Sequence, residues 1–364
     1  MKILHYINNL GSGGAEKLLT DVLPLMKQSG HDVHLIYAND KANTKNYESL
    51  LNNAGIKIKN LDVSFYNPLQ IFFLAQLIKK EQYDIAHAHL FPTQYWLAFA
   101  SFFKPSKTKL VKTEHNVFNN RRKYPVLSII EKSVYNRYSK IIAITDEVKL
   151  KLAYWLKNEN KIVVINNGVH LQLSNDDQSG SNLANYEFID NSQINLLMTA
   201  RFNGVAKDQN TLIRAIKLLP ENYHVYFAGE GALLENSKQL AKELNIENRV
   251  HFLGMRTDAI SLMRKVNLNV LSTNYEGLPG AALEALTSGK PFIGSDVAGV
   301  NNIVPDNRFL FPAKNPEKLA QKIKEVTGNK ILASEMAKLA TEHVKKFDIR
   351  LMVENYLKLY SDLI

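Results

Sequence analysis

Short β-branched runs alternate with amphipathic stretches along the whole sequence, the pattern of βα units wrapped around parallel sheets. In the first half the runs predicted as strands are Ile3–Ile7, Val33–Ala38, Ile56–Leu61, Asp84–His89, Leu110–Glu114, Lys140–Thr145 and Lys161–Ile165. A second series comprises Asn195–Ala200, His224–Ala228, Val250–Leu253, Leu268–Leu271, Pro291–Gly294 and Phe309–Phe311. Between the two lies Leu171–Ser192, rich in Asn, Asp and Ser and without a steady period apart from Tyr186–Ile189, which reads as an interdomain connection. Asp176 and Asp177 within it read as capping or solvated groups. Lys314–Val326, Ile331–Lys346 and Ile349–Leu363 are predicted helices, the last two separated at Phe347-Asp348. No repeat of 20–50 residues is present. The predicted fold class is α/β, with two doubly wound parallel-sheet domains.

Length and composition agree with that division. A chain of 364 residues with 45% apolar side chains has material for about two cores. Zero cysteines exclude a disulfide scaffold, a thiolate metal site and a cysteine nucleophile, and fit a reducing cytoplasm. The uncharged apolar stretches Leu69–Ile78 and Tyr95–Phe103 fall far short of the ~20 residues that span a bilayer. The apolar run after Lys2 breaks at Asn8-Asn9, so the start is expected to be the mature chain and not a signal peptide.

Charge adds a local feature. The formal net charge is +10, and residues 101–161 alone hold 14 basic against 5 acidic side chains, interleaved with Phe102, Phe103, Phe118, Tyr124, Leu127, Ile129 and Ile130. Such a surface suits an anionic leaflet or an acidic ligand, and a solvated lysine-rich face is the rival reading. No helix-turn-helix, zinc-finger or aromatic RNA-binding pattern accompanies it, so no nucleic-acid partner is expected.

Three segments carry candidate chemistry. The first strand runs into Gly11-Ser12-Gly13-Gly14 and then a helix from Ala15, a turn whose amides and helix N-terminus suit phosphate. Glu16 stands where a dinucleotide fingerprint has its third glycine, which weakens a nicotinamide reading and leaves a plain tight turn as the alternative. Arg201 and Lys207 fall in the loop after a predicted strand, where ligands of open α/β sheets bind. Glu276-Gly277-Leu278-Pro279-Gly280 then leads into a helix bearing Glu284, with Pro279 suited to its first turn. Eight residues apart, the two carboxylates can address one ligand at two depths, and Glu284, set in an apolar helix, needs a hydrogen-bond partner such as a ribose diol. His87 and His89 share one strand face at a metal-ligand spacing, but no third ligand is evident, so no metal is expected and an acceptor-side position is.

Taken in order, Gly13-Gly14-Ala15-Glu16, Asp84-Ile85-Ala86-His87-Ala88-His89, Glu114-His115-Asn116, Ile165-Asn166-Asn167-Gly168-Val169, Arg201 with Lys207, Glu276 with Glu284, and Gly289-Lys290-Pro291 resemble glycosyltransferase family 4 over nearly the whole chain. That resemblance implies the GT-B fold, two Rossmann-like domains facing a cleft: an acceptor-binding domain at 1–175, a nucleotide-sugar domain at 176–346, and a C-terminal helix at 347–364 packing back on the first. It implies a retaining hexosyl transfer from a nucleoside-diphosphate sugar, UDP-linked before GDP-linked, to a saccharide or lipid-linked acceptor in surface polysaccharide synthesis. Glu284 would hold the ribose, Glu276 the sugar hydroxyls, Arg201 and Lys207 the diphosphate, and Gly13 and Gly14 its oxygens. His115 would lie beside the reacting sugar. Gly277, Leu278, Pro279 and Gly280 would line the donor, although Leu278-Pro279-Gly280 stands where many members have Phe-Gly-Leu. His170 replaces an aspartate common after Asn-Gly-Val.

The implied route is front-face transfer, with cations and helix-end amides stabilising the leaving diphosphate and no metal or other cofactor. The basic stretch around Arg121, Arg122 and Lys123 would hold the enzyme reversibly at the cytoplasmic leaflet. A GT-B sugar-nucleotide epimerase and a non-catalytic sugar-nucleotide-binding scaffold are the alternatives, with a nicotinamide dehydrogenase third.

Overall fold

The computed structural model describes all residues except 12, 40, 42–44, 104–106, 116–118, 120, 122–123, 172–185, 187 and 205, and the backbone alone of residue 45. Most of the predicted connection, with Asp176 and Asp177, and also Phe118, Arg122 and Lys123, thus lie outside the described residues. The chain divides into two compact units, Met1–Gly168 with Ile349–Ile364, and Val169–Asp348.

Unit 1 holds β1 (Lys2–Ile7), α1 (Gly14–Gln28), β2 (Asp32–Tyr37), α2 (Lys45–Asn53), β3 (Lys57–Asn60), α3 (Gln70–Glu81), β4 (Ile85–His89), α4 (Thr93–Phe103), β5 (Lys109–Glu114), α5 (Pro125–Arg137), β6 (Lys140–Ala143), α6 (Asp146–Leu156) and β7 (Ile162–Val164). Its strands are all parallel in the order β3-β2-β1-β4-β5-β6-β7. Central strands of such a sheet are covered on both faces and read as continuous apolar runs, as Ile3, Leu4, Tyr6 and Ile7 do here.

Unit 2 holds β8 (Ile194–Thr199), α7 (Gln209–Lys217), β9 (Tyr223–Ala228), α8 (Leu234–Glu243), β10 (Val250–Phe252), α9 (Ala259–Lys265), β11 (Leu268–Leu271), α10 (Gly280–Thr287), β12 (Phe292–Ser295), α11 (Ala298–Asn301), β13 (Leu310–Phe311), α12 (Pro316–Gly328) and α13 (Lys330–Val344). The strand order is β10-β9-β8-β11-β12-β13, again all parallel. Both sheets are therefore the doubly wound kind predicted. Element ends are trimmed by a residue or two where the outermost positions lack a partner strand: β3 stops at Asn60, the last residue in register with β2.

Local chemistry sets several boundaries. Thr145, Asp208 and Asn315 each accept a backbone N–H at the start of a helix, a cap worth about 1 kcal/mol. Pro279 is the N-cap of α10 and not a member of its first turn, so that helix starts one residue later than predicted.

The last helix, α14 (Ile349–Ser361), belongs to unit 1. Its buried residues Ile349, Met352, Val353, Tyr356 and Tyr360 recur at helical spacing and join the core formed by Ile3, Leu19, Leu23 and Leu35. The chain passes so close at its start that a Cβ on Gly168 would meet the Ile349 Cα at 2.4 Å, which explains the glycine in Asn166-Asn167-Gly168-Val169.

Candidate active site

In doubly wound sheets the ligand crevice opens at the carboxyl ends of the strands where the order reverses. In unit 2 that point lies between β8 and β11, and the loops leaving these two strands carry Arg201, Lys207 and Glu276. The loops are stitched together: Asp208 N–H donates to Ser272 O at 3.0 Å, Asn274 N–H to Ala206 O at 2.7 Å, and Lys207 bridges Thr273. Lys207 Nζ is ion-paired with Glu276 Oε1, and Thr273 Oγ1 donates to the same oxygen at 2.9 Å. The sequence thus placed a cation and a carboxylate 69 positions apart in one cluster, and the fold brings them into contact. Their side chains are 22% and 12% exposed, enough for a ligand to reach both.

Arg201 lies exposed at the mouth of the same loop, which is anchored where Gln209 Nε2 donates to the Arg201 carbonyl at 3.0 Å. The loop's backbone is also pressed against the turn after β9, since a Cβ on Gly229 would meet Ala200 O at 2.1 Å and Gly229 has φ +151°. Glycine is required there, a position the sequence reading did not single out. Glu284 is buried in the second turn of α10, one face of which packs inward through Ala282, Leu283, Ala285 and Leu286. Leu278 and Pro279 are buried, Gly277 is partly exposed and Gly280 is exposed, so of this segment Gly277 and Gly280 offer backbone to solvent. A Cβ on Gly299 would meet Glu276 at 2.6 Å, so the start of α11 backs the Glu276 main chain.

In unit 1 the corresponding reversal lies between β1 and β4. Gly13 caps α1 without a side-chain bond, and Gly14 is exposed with nothing within 4 Å of a would-be Cβ. The Glu16 carboxylate folds against Gly13, where a Cβ would meet Oε2 at 2.0 Å. Gly13 therefore keeps room for Glu16, whose charge favours the positive end of its own helix.

His115 follows β5 directly and is partly exposed, with its Nε2 buried and lacking a hydrogen-bond partner among the described residues. Burial pushes its pKa down to about 4, with Glu114 opposing the fall and Lys112 adding to it. His87 and His89 are not cleft-lining groups, as the sequence suggested. Both are buried, because strands at the centre of the sheet are covered on both faces. His87 is hydrogen-bonded through Nδ1 to Tyr360 Oη at 2.6 Å and through Nε2 to Thr113 Oγ1 at 2.8 Å. His89 Nε2 meets His5 Nδ1 at 3.0 Å.

His5 is the residue that sequence reasoning missed; its signal, a histidine in the middle of an apolar strand, gains meaning only from the register His5↔His87. Ligand atoms of His5, His87 and His89 lie within 4.8 Å of one another, the only such group among the described residues. Both His87 nitrogens are engaged by hydroxyls, while His5 and His89 bond each other and His5 Nε2 has no partner among the described residues. Burial lowers the pKa of His5 to about 3 and holds those of His87 and His89 well below the ordinary value.

The patch residue Arg121 is also reassigned. Its Nε donates to Glu131 Oε1 at 2.9 Å, and its guanidinium lies 3.9 Å from the Phe91 ring centroid. Glu131 is fully buried and further receives Asn119 Nδ2 at 2.8 Å and the Tyr95 hydroxyl, so Arg121 neutralises an internal carboxylate.

Residues 12–173 match the family described as Glycosyltransferase Family 4, and residues 183–343 match that described as Glycosyl transferases group 1. The chain belongs to glycosyltransferase family 4. An uncharacterized glycosyltransferase of Methanocaldococcus jannaschii is 28% identical over 251 residues, covering 65% of each chain and thus under two thirds of that relative's length. The N-acetylgalactosamine-N,N'-diacetylbacillosaminyl-diphospho-undecaprenol 4-alpha-N-acetylgalactosaminyltransferase of Campylobacter jejuni is 25% identical over 367 residues, 94% of each chain. Among solved structures, Anabaena HepE in complex with UDP and glucose superposes with a TM-score of 0.85 at 22% identity, covering all of both chains. The family 4 chain thus has the GT-B fold of that structure.

Proposed function

We propose that this glycosyltransferase moves a hexosyl group, with retention, from a UDP-sugar to a lipid-linked saccharide in surface polysaccharide synthesis. The observation that carries the reading is the Lys207–Glu276 pair beside exposed Arg201 at the strand-order reversal of unit 2. A diphosphate approaching that crevice meets two cations, and a sugar meets a carboxylate that accepts hydroxyl hydrogen bonds. In this reading donor binding exchanges the internal ion pair for ligand contacts: Lys207 turns to the diphosphate and Glu276 to the sugar, while Glu284 binds the ribose. Arg201 and Lys207 then stabilise the charge that develops on the leaving diphosphate, the electrostatic work a divalent ion performs in other transferases, so no metal is required. His115, which burial keeps uncharged at neutral pH, is the unit 1 candidate for the transfer reaction, and the leaving oxygen takes the acceptor proton.

UDP is preferred on the strength of HepE, and a lipid-linked acceptor on that of the Campylobacter enzyme. A place for lipid is offered by α5 and the residue before it, where Tyr124, Val126 and Ile129 are 62%, 70% and 71% exposed. With Arg121 committed to Glu131, membrane contact falls to this apolar face. No described helix is long and apolar enough to cross a membrane.

A thermal-shift panel of UDP- and GDP-sugars tests the donor assignment. A ligand present at 100 times its Kd stabilises by about 2.7 kcal/mol, so one UDP-sugar should raise the melting temperature of wild type and not of Lys207→Ala. A panel in which no sugar nucleotide stabilises wild type sinks the reading.

A further inference from the structure

Four buried polar side chains lie on one face of the unit 1 sheet, and strand register explains their company. His5 pairs with His87 across β1 and β4, and His89 pairs with Thr113 across β4 and β5. Because side chains alternate along a strand, His115 is the next residue after Thr113 to point the same way, just beyond His89. The His87 and His89 ring centroids are 4.1 Å apart, and those of His89 and His115 are 6.1 Å apart. α14 lies over this face and contributes two hydroxyls: Tyr360 Oη to His87 at 2.6 Å, and Tyr356 Oη to Thr113 at 3.3 Å.

A neutral imidazole has one donor and one acceptor nitrogen, so His87, bonded at each to a hydroxyl that can accept or donate as required, is held in a single ring orientation. Packing does not require this. Apolar residues of similar size would fill the same volume without the desolvation of six polar side chains, and buried polar networks chiefly contribute uniqueness of arrangement. Ring packing, not a hydrogen bond, carries the group on from His89 to the one imidazole that reaches the surface, His115, at a centroid distance of 6.1 Å.

We propose that Tyr360 and Tyr356 of the C-terminal helix are positioning residues for His115, acting through His87, Thr113 and His89. The proposal rests on the assignment of His115 to the transfer reaction. It gives the returning helix a chemical task besides closing the core: the ring beside the sugar is aimed by hydroxyls some 240 residues downstream in sequence.

The test is Tyr360→Phe, which removes the hydroxyl and keeps the ring, with Tyr356→Phe as a second variant should the first fail to fold. Two readouts are needed. One is UDP release from whichever of UDP-glucose, UDP-galactose, UDP-N-acetylglucosamine and UDP-N-acetylgalactosamine stabilises the protein most; the other is ¹⁵N NMR of histidine-labelled protein. In Tyr360→Phe kcat should fall about tenfold with donor KM within twofold, and the His115 ring resonances should move. With His115→Ala already present, the same change should cost less than twofold. Wild-type kcat with unmoved His115 resonances overturns the proposal, as does an equal loss in both backgrounds. Wild-type turnover in His115→Ala alone instead overturns the assignment of His115; the NMR shift then decides the coupling by itself, a moved signal supporting it and an unmoved one refuting it.

Discussion

The two units keep their candidate chemistry in opposite electrostatic states. Unit 2 presents a charged pair, Lys207 and Glu276, at a partly exposed crevice. Unit 1 surrounds its candidate with imidazoles so enclosed that burial keeps them uncharged. The difference follows from what each must do in the proposed reaction. Leaving-group stabilisation needs fixed charge that a ligand can reach, whereas orienting a ring beside a sugar needs polar groups that hold one arrangement and attract no counter-ion.

The widest separation between the units is expected under acid. His5, His87 and His89 have folded pKa values below the ordinary 6.5, so they bind protons in the unfolded chain before they do in the folded one. Their contribution is complete above pH 6.5 and is lost as pH falls toward the folded values, about 3 for His5. All three therefore act in the same direction, each weakening unit 1 as pH falls below 6.5. Calorimetry from pH 7.5 to 5 should show one transition moving down steeply, with a shallower slope in His5→Asn. Equal slopes in the two proteins would break the contrast.

Second in size is the charged site. Arg201→Ala or Lys207→Ala should lower turnover by roughly a hundredfold while leaving the fold intact, since one side chain is exposed and the other partly so. Wild-type kcat in either variant would remove the phosphate role. A smaller effect, about 1–3 kcal/mol of stability, is expected for Gly168→Ala, where the new Cβ meets Ile349 at the start of α14. Denaturant titration measures it, and an unchanged midpoint would show that the helix can give way. Smaller again, Glu284→Ala should weaken free UDP by about tenfold, the loss of one charge-assisted hydrogen bond, while Glu276→Ala should cut turnover with a lesser effect on UDP affinity. Isothermal titration with UDP separates them, and equal affinities in wild type and Glu284→Ala would misplace the ribose.

What the sequence disclosed follows the same contrast. The strands, the doubly wound class and the unit 2 candidates were legible because each rests on a short segment with its own pattern: a loop after a strand, a carboxylate before a helix, a period of two or 3.6. The histidine array was not, because it is assembled from β1, β4, β5 and α14, whose contacts span up to 273 positions. His87 and His89 looked like cleft-lining groups on the acceptor side because alternation gives the face of a strand but not what covers it. Arg121 looked free for the same reason, since nothing local announces that Glu131 ten residues on is buried beneath it.

The most direct measurement is transfer itself. The protein is incubated with a radiolabelled UDP-sugar, with and without a polyprenyl-diphosphate-linked saccharide, in excess chelator, and label is followed into the organic phase. The proposed function predicts acceptor-dependent transfer that survives the chelator, yields a product with the donor's anomeric configuration, and is lost in Lys207→Ala. Conversion of the nucleotide sugar to its epimer without any acceptor, or transfer that depends strictly on added magnesium or manganese, would contradict it.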